Sequence, residues 1–226
     1  MDDLILHILK GIEAGKPTGQ KDKWERCWGA TPALEAPPYY ASGFVRENGV
    51  LKAVMPGYEY ERFRDIRDAL LKRYCPEGFH EFGCGNGHNL VNRNAVGYDW
   101  SESAVRKLNE AGQKAEVFDM FKPRPMDLRG QAVVTIHAME QLGKDFHMFL
   151  AFLLDAKPRI VVHLEPLIEL YEDNLLDYLA VMYHRKRGYL EGYVDAVKAV
   201  GEVIELKRNY FGSLFHEANS VLVWRP

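Results

Sequence analysis

The segment Glu81-Phe82-Gly83-Cys84-Gly85-Asn86-Gly87 constrains this chain more than any other. Residues 79–82 read as a short buried strand that runs straight into a loop with glycine at every second position. Glycine lacks a Cβ and reaches positive φ, so such a loop lets the backbone approach a bound molecule closely. On its own such a loop is a weak signal, with a plain tight turn as the lesser reading. Its surroundings decide between the two. From about residue 61 onward, apolar strand-like runs alternate with helical patterns, which predicts a parallel sheet with helices on both faces.

The elements follow in order. Residues 61–74 carry Phe63, Ile66, Leu70 and Leu71 at helical spacing, and Pro76-Glu77-Gly78 breaks the run. Strands are expected at 79–82, 95–98, 115–118, 132–136 and 160–164. Ser101 or Ser103 caps a helix bearing Ala104, Val105, Leu108 and Ala111, which Gly112 ends. Leu142, Phe146, Phe149, Leu150 and Leu153 mark the next helix, and 167–200 reads as one long or two broken helices. Residues 203–207 and 221–224 form two strands joined by a loop without a helix, so that pair must be antiparallel. Asp99 and Asp119 then end the second and third strands, as Glu81 nears the end of the first. All three point to the crevice where open α/β sheets bind ligands.

With these residues in place, the chain resembles the class I S-adenosylmethionine-dependent methyltransferases. Glu81–Gly87 looks like the first motif of that family (acidic-x-Gly-x-Gly-x-Gly), Gly97-Tyr98-Asp99 like the second, and Phe118-Asp119-Met120 like the third. A nicotinamide-binding Rossmann loop would need glycine at position 88, where His88 stands. The resemblance covers about residues 61–226. It implies an α/β doubly wound seven-stranded sheet of order 3-2-1-4-5-7-6 with strand 7 antiparallel, and S-adenosylmethionine as cofactor. By the same resemblance Gly83, Cys84 and Gly85 line the methionine part of the cofactor, with Glu81 and Asn89 beside it. Asp99 holds the ribose, and Trp100 packs on the adenine. Asp119 accepts from the adenine amino group, flanked by Met120 and Phe121, and His137 completes the set.

The methyl acceptor is less legible. After strand 4 the chain reads Thr135-Ile136-His137-Ala138-Met139-Glu140, without the Asn/Asp-Pro-Pro-aromatic motif of many amino-methylating relatives and without the aspartates of catechol-type enzymes. His137 and Glu140, His163 and Glu165, then His216 and Glu217 are expected at the reacting edge, a set suited to removing a proton from the acceptor. His137, Glu140, His163, Glu165 and His216 are thus the candidate catalytic residues. One reading makes His137 or His163 a general base oriented by a carboxylate. Another has these groups bind a divalent cation, as in RNA-methylating relatives with a similar cluster, although Gln141 stands where a further His is wanted. No metal ligands are assigned. Asp173–Asp177 reads as a solvated helix face, and His184-Arg185-Lys186-Arg187 either as a solvated helix end or as a holder for an anion. Tyr171, Tyr178, Tyr183, Tyr189 and Tyr193 offer either core packing or an acceptor wall.

Composition narrows the partners. With 226 residues, 29 Lys+Arg against 32 Asp+Glu and a formal net charge of -3, nothing favours a nucleic acid. The three cysteines (Cys27, Cys75, Cys84) lack CxxC spacing, and no apolar run is long enough for a membrane span. A soluble cytoplasmic enzyme with a small-molecule acceptor is the expectation; its oligomeric state is not legible. Residues 1–60 carry two helical stripes (Leu4, Ile5, Ile8, Leu9, Ile12; then Trp24, Cys27, Trp28) and are expected to lie over the crevice as a lid, with 61–226 as the cofactor-binding domain.

Overall fold

A strand covered by helices on both faces has no solvent side to leave polar, so it reads as an unbroken apolar run. In the computed structural model, which describes residues 2–16, 21–37, 40 and 42–226, two such strands form the centre of the main sheet. These are β6 (Ala132–Ile136) and β7 (Ile160–Glu165), buried at every residue and paired in parallel with Thr135 beside His163. On one side follow β3 (Phe79–Phe82), β4 (Ala95–Asp99) and β5 (Lys114–Val117), all parallel. On the other side β10 (Ser220–Arg225) runs antiparallel to β7 and to the edge strand β8 (Glu202–Lys207). The order β5-β4-β3-β6-β7-β10-β8 matches the expected 3-2-1-4-5-7-6 sheet with its seventh strand antiparallel.

Two hydrophobic layers cover this sheet. Phe63 and Leu70 of α3 (Tyr58–Tyr74) and Val105 and Leu108 of α4 (Glu102–Glu110) pack on one face with Val134 and Val162. Phe149 and Leu153 of α5 (Phe146–Ala156) and Tyr193 and Val197 of α7 (Tyr193–Val200) pack on the other with Trp224. Ser101 is the cap of α4, its Oγ accepting from the Ala104 N–H at 3.1 Å. The stretch 167–200 breaks into a short turn, α6 (Leu175–Arg187) and α7, with Gly188 and Gly192 in left-handed conformations between the last two. Among the described residues, no helix is long and apolar enough to cross a membrane.

Residues before α3 are tied into this body at several places. Ile8 and Ile12 of α1 (Asp2–Ala14) pack on Leu179 of α6 and on Leu214. Helix α2 (Lys21–Ala30) lies against α4, where the Lys107 ammonium donates to three carbonyls at its end. A second sheet of order β2-β1-β9 joins β1 (Phe44–Glu47) and β2 (Val50–Ala53) to β9 (Phe211–Ser213). The loop expected between the last two strands therefore contains a strand of its own. Asn48 and Gly49 make the β1–β2 turn, both with positive φ (51° and 75°), as a type I′ hairpin requires.

Two expectations are corrected, one of a solvated face and one of a place at the reacting edge. Asp177 is buried, not solvated, because Asn174 caps α6 and turns the Asp177 carboxylate inward to Arg208 (2.7 Å) and Arg46 (3.6 Å). Glu217 is likewise committed to Arg208 at 2.7 Å and lies away from the reacting edge.

Candidate active site

At the end of β3 the Gly83 and Cys84 N–H groups both donate to the Tyr98 carbonyl of β4, at 2.7 and 3.0 Å. The loop is thereby pinned between two strands. Gly83 has φ of +77°, and a Cβ there would lie 2.4 Å from the Ala138 Cβ. Gly85 has φ of +53°, and a Cβ there would meet the Trp28 indole at 2.7 Å. Bare backbone at these two positions is what lets the segment after β6 and helix α2 close over the loop. Asp99 braces it from β4: one oxygen accepts from the Gly85 N–H (2.8 Å), the other from the Ser101 N–H (2.9 Å). Burial lifts its carboxyl to about 6 against the pull of those N–H donors.

A cavity of about 470 Å³ opens over this loop. At one end it is walled by Gly83, Cys84, Gly85, Asp99 and Asn89, with Trp100, Met120 and Phe121 beside them. Trp100 and Phe121 stack on each other, centroids 5.6 Å apart and planes 11° from parallel. Glu81 and Asp119 are not in the wall. Glu81 is fully buried and accepts from Asn89 at 2.7 Å, so it orients a residue that is in the wall. Asp119 is half-buried, and its Oδ1 accepts from the Phe121 N–H at 2.9 Å.

The same cavity continues to the segment after β6. His137, with positive φ (51°), and Glu140 both line it, and so does His216 from the loop before β10. His163 and Glu165 do not, which corrects their place at the reacting edge. Alternation on β7 points both toward the α5/α7 face. There the Trp224 indole N–H donates to His163 Nε2 (3.0 Å), which leaves the proton on Nδ1 for the Thr135 hydroxyl (2.7 Å). Glu165 Oε1 accepts from the Ala138 and Met139 N–H groups at 3.0 Å each. The pair therefore holds the segment that carries His137 and meets no acceptor. Three His and three Glu do not converge, and among the described residues no group of three or more His, Cys, Asp or Glu side chains is placed to hold a metal ion.

No family model matches the sequence, and no curated protein matches it. Solved structures do. The [4+2]-cyclase SpnF superposes with a TM-score of 0.63 at 12% identity, over 93% of this chain and 97% of that one. The N-methyltransferase NodS from Bradyrhizobium japonicum WM9, in complex with S-adenosyl-L-homocysteine, gives 0.61 at 12%, over 90% and 96%. Geranyl diphosphate methyltransferase in complex with GPP and sinefungin gives 0.54 at 12%, over 91% and 98%. The chain has the class I S-adenosylmethionine-dependent methyltransferase fold.

On this methyltransferase fold the cavity has wall residues that sequence reasoning missed. Tyr40 places its hydroxyl 3.3 Å from His137 Nδ1, while His137 Nε2 lies 3.2 Å from Asn219 Oδ1. The Asn219 amide nitrogen donates to the Phe211 carbonyl (3.2 Å), so its oxygen faces His137, and the proton is assigned to Nε2. His137 Nδ1 is left as an acceptor for Tyr40. His88, next after the glycine loop, is fixed by Asn86 Oδ1 at 3.2 Å. Glu59 reaches the wall from α3 and accepts from Ser42 at 3.1 Å. Tyr183 and Tyr189 are in the wall; Tyr193 is core against His163, and Tyr178 is exposed. Of the basic run, Arg185 pairs with Glu191 (2.7 Å) at the helix end, and His184 is buried against His216, Nε2 to Nδ1 at 2.7 Å.

Burial governs the charge of these groups and makes stability depend on pH in both directions. Desolvation pushes His137 down to about 4, and His88, His163 and His184 to about 3. The unfolded chain binds more protons at these sites below about 6.5, so their stability contribution is full above that pH and is lost as pH falls toward 4. The buried carboxyls run the other way. Desolvation raises Glu81 and Glu140 to about 8 and Glu59 and Glu165 to about 7, so their contribution is full below about 4.5 and is lost as pH rises through 7 to 8. Thermal melts are expected to peak between about pH 4.5 and 6.5 and to fall on the alkaline side by pH 8.5. A melting temperature that keeps climbing to pH 8.5 would contradict this charge assignment.

Proposed function

We propose that the protein is an S-adenosylmethionine-dependent methyltransferase acting on an O or N atom of a small-molecule acceptor. The observation that carries this reading is the continuity of one cavity, from the Gly83–Gly85 loop and Asp99 to His137 and His216. Its size lies within the roughly 300–1,000 Å³ usual for small-molecule sites. The residues fit the cofactor. Asp99 retains lone pairs for ribose hydroxyls beyond its two backbone donors, and Trp100, Met120 and Phe121 offer an apolar surface to the adenine. The cofactor supplies an electrophilic methyl group on a sulfonium.

The chain then has to position the acceptor, keep water out and take a proton. Held neutral by burial, His137 has a free base at Nδ1 for the proton of the acceptor, reached by way of the Tyr40 hydroxyl. Trp24 donates to Gln141 at 3.1 Å and Trp28 covers Gly85, so α2 acts as the lid that excludes water. Walls drawn from α1, β1 and β9 as well as the sheet favour a modest acceptor over a macromolecule.

SpnF has a cyclase name on the same fold, and cyclisation is the rival reading. It would leave the cofactor unconsumed. Incubation with S-adenosylmethionine and a metabolite extract is expected to release S-adenosylhomocysteine; turnover of a substrate without that product would favour cyclisation. Calorimetry tests the cofactor site itself. Asp99→Ala is expected to weaken S-adenosylhomocysteine binding about 10- to 100-fold, since two ribose hydroxyls and the Gly85 and Ser101 N–H groups all lose their acceptor. Unchanged affinity in the folded variant would remove Asp99 from the site.

A further inference from the structure

The wall of the acceptor end is aromatic and carries no positive charge. Phe44, Phe63, Tyr183, Tyr189, Phe211 and Phe215 face the cavity there. Among the described residues no lysine or arginine lines it, and none of residues 1, 17–20, 38, 39 and 41 is a lysine or arginine. Nearby cations stand behind the rings. Arg187 donates to the Tyr189 hydroxyl at 2.9 Å, and its guanidinium lies over the Tyr183 and Tyr189 rings, 5.5 and 5.2 Å from their centroids. The Lys23 ammonium lies over Trp24 at 5.2 Å. Both cations are held over π faces, and neither is among the residues that line the cavity.

The polar groups of this end are hydroxyls, amides, imidazoles and two carboxyls. Tyr40, Ser213 and Asn219 are uncharged, and His137 and His216 are held neutral by burial. Glu140 takes a hydrogen bond from Gln141 at 2.7 Å, and burial keeps its carboxyl protonated up to about 8; Glu59 behaves alike, at about 7. A carboxylate or phosphate on the acceptor would be desolvated here without a partner, which is costly. An ammonium would share the cavity with the like charge of the sulfonium.

Resting on the methyltransferase reading, we infer that the acceptor is an uncharged aromatic molecule, held between ring faces and hydrogen-bonded through a neutral donor to the Tyr40–His137 pair. The geometry points to this class because flat aromatic walls recognise ring faces, while among the described residues no lysine or arginine stands in the wall to pair with an anion.

Fluorescence titration of the protein saturated with sinefungin, whose amine carries the positive charge in place of the sulfonium, tests it without requiring turnover. The probes are naphthol, hydroxynaphthoate and aminomethyl-naphthol, which share one ring system and differ in charge. Naphthol is expected to bind about tenfold or more tightly than either charged analogue. Phe215→Ala is expected to weaken naphthol at least threefold while leaving S-adenosylhomocysteine affinity unchanged, which places the probe at the aromatic end. Equal or tighter binding of a charged analogue overturns the uncharged assignment. Failure of all three probes, in protein that still binds S-adenosylhomocysteine, overturns the aromatic assignment. Loss of S-adenosylhomocysteine binding itself would instead sink the cofactor reading beneath both.

Discussion

His137→Ala is expected to lower kcat by about 10²- to 10⁴-fold, with little change in cofactor affinity. His137 is the group in the wall whose ring nitrogens are both assigned: Nε2 donates to Asn219, and Nδ1 accepts from Tyr40. Removing it takes away the proton acceptor and the nitrogen that the Tyr40 hydroxyl faces. Tyr40→Phe keeps the base but breaks the path to it, so a smaller loss is expected. Because burial holds His137 at about 4, the base form is lost only as pH falls through that value. The acid limb of the rate profile should lie near 4, not near the roughly 6.5 of an exposed histidine. A His137→Ala variant within threefold of the parent would mean that positioning against the sulfonium suffices.

Deleting residues 1–40 is expected to leave the seven-stranded sheet folded and to reduce kcat/KM by at least about 10²-fold, the scale of a misplaced reactant. Among the described residues the first 40 contribute no strand to either sheet, while α2 supplies Trp24 and Trp28 over the loop and Tyr40 the contact to His137. Circular dichroism and turnover measured together separate the outcomes. Full activity in a folded truncation would refute the lid.

The local part of this site was legible. A strand, its glycine loop and the acid at the end of the next strand lie within 20 residues, and their pairing follows from chain direction alone. The Gly83-to-Asp99 geometry needed no long-range information. What failed depended on which face a helix covers. Alternation correctly put His163 and Glu165 on one side of β7, but α5 and α7 decide that this side is core. Asp177 misled for the same reason: a helix-start acid is usually solvated, and only the approach of Arg46 and Arg208 from other elements buries it. Tyr40 was out of reach, being 97 residues from the histidine it serves. The β1–β2 hairpin was within reach. Asn48-Gly49 between Val45 and Leu51 is a strong hairpin signal, and it would have placed β1 before the structure did.

The central claim is that a methyl group passes from the cofactor to a small molecule inside the cavity. The most direct measurement supplies methyl-labelled S-adenosylmethionine to the protein with a cell extract split into polymer and metabolite fractions. The account predicts label in the metabolite fraction, at a rate that falls with Asp99→Ala and His137→Ala. Label in the polymer fraction, or none while S-adenosylmethionine is bound, would contradict it.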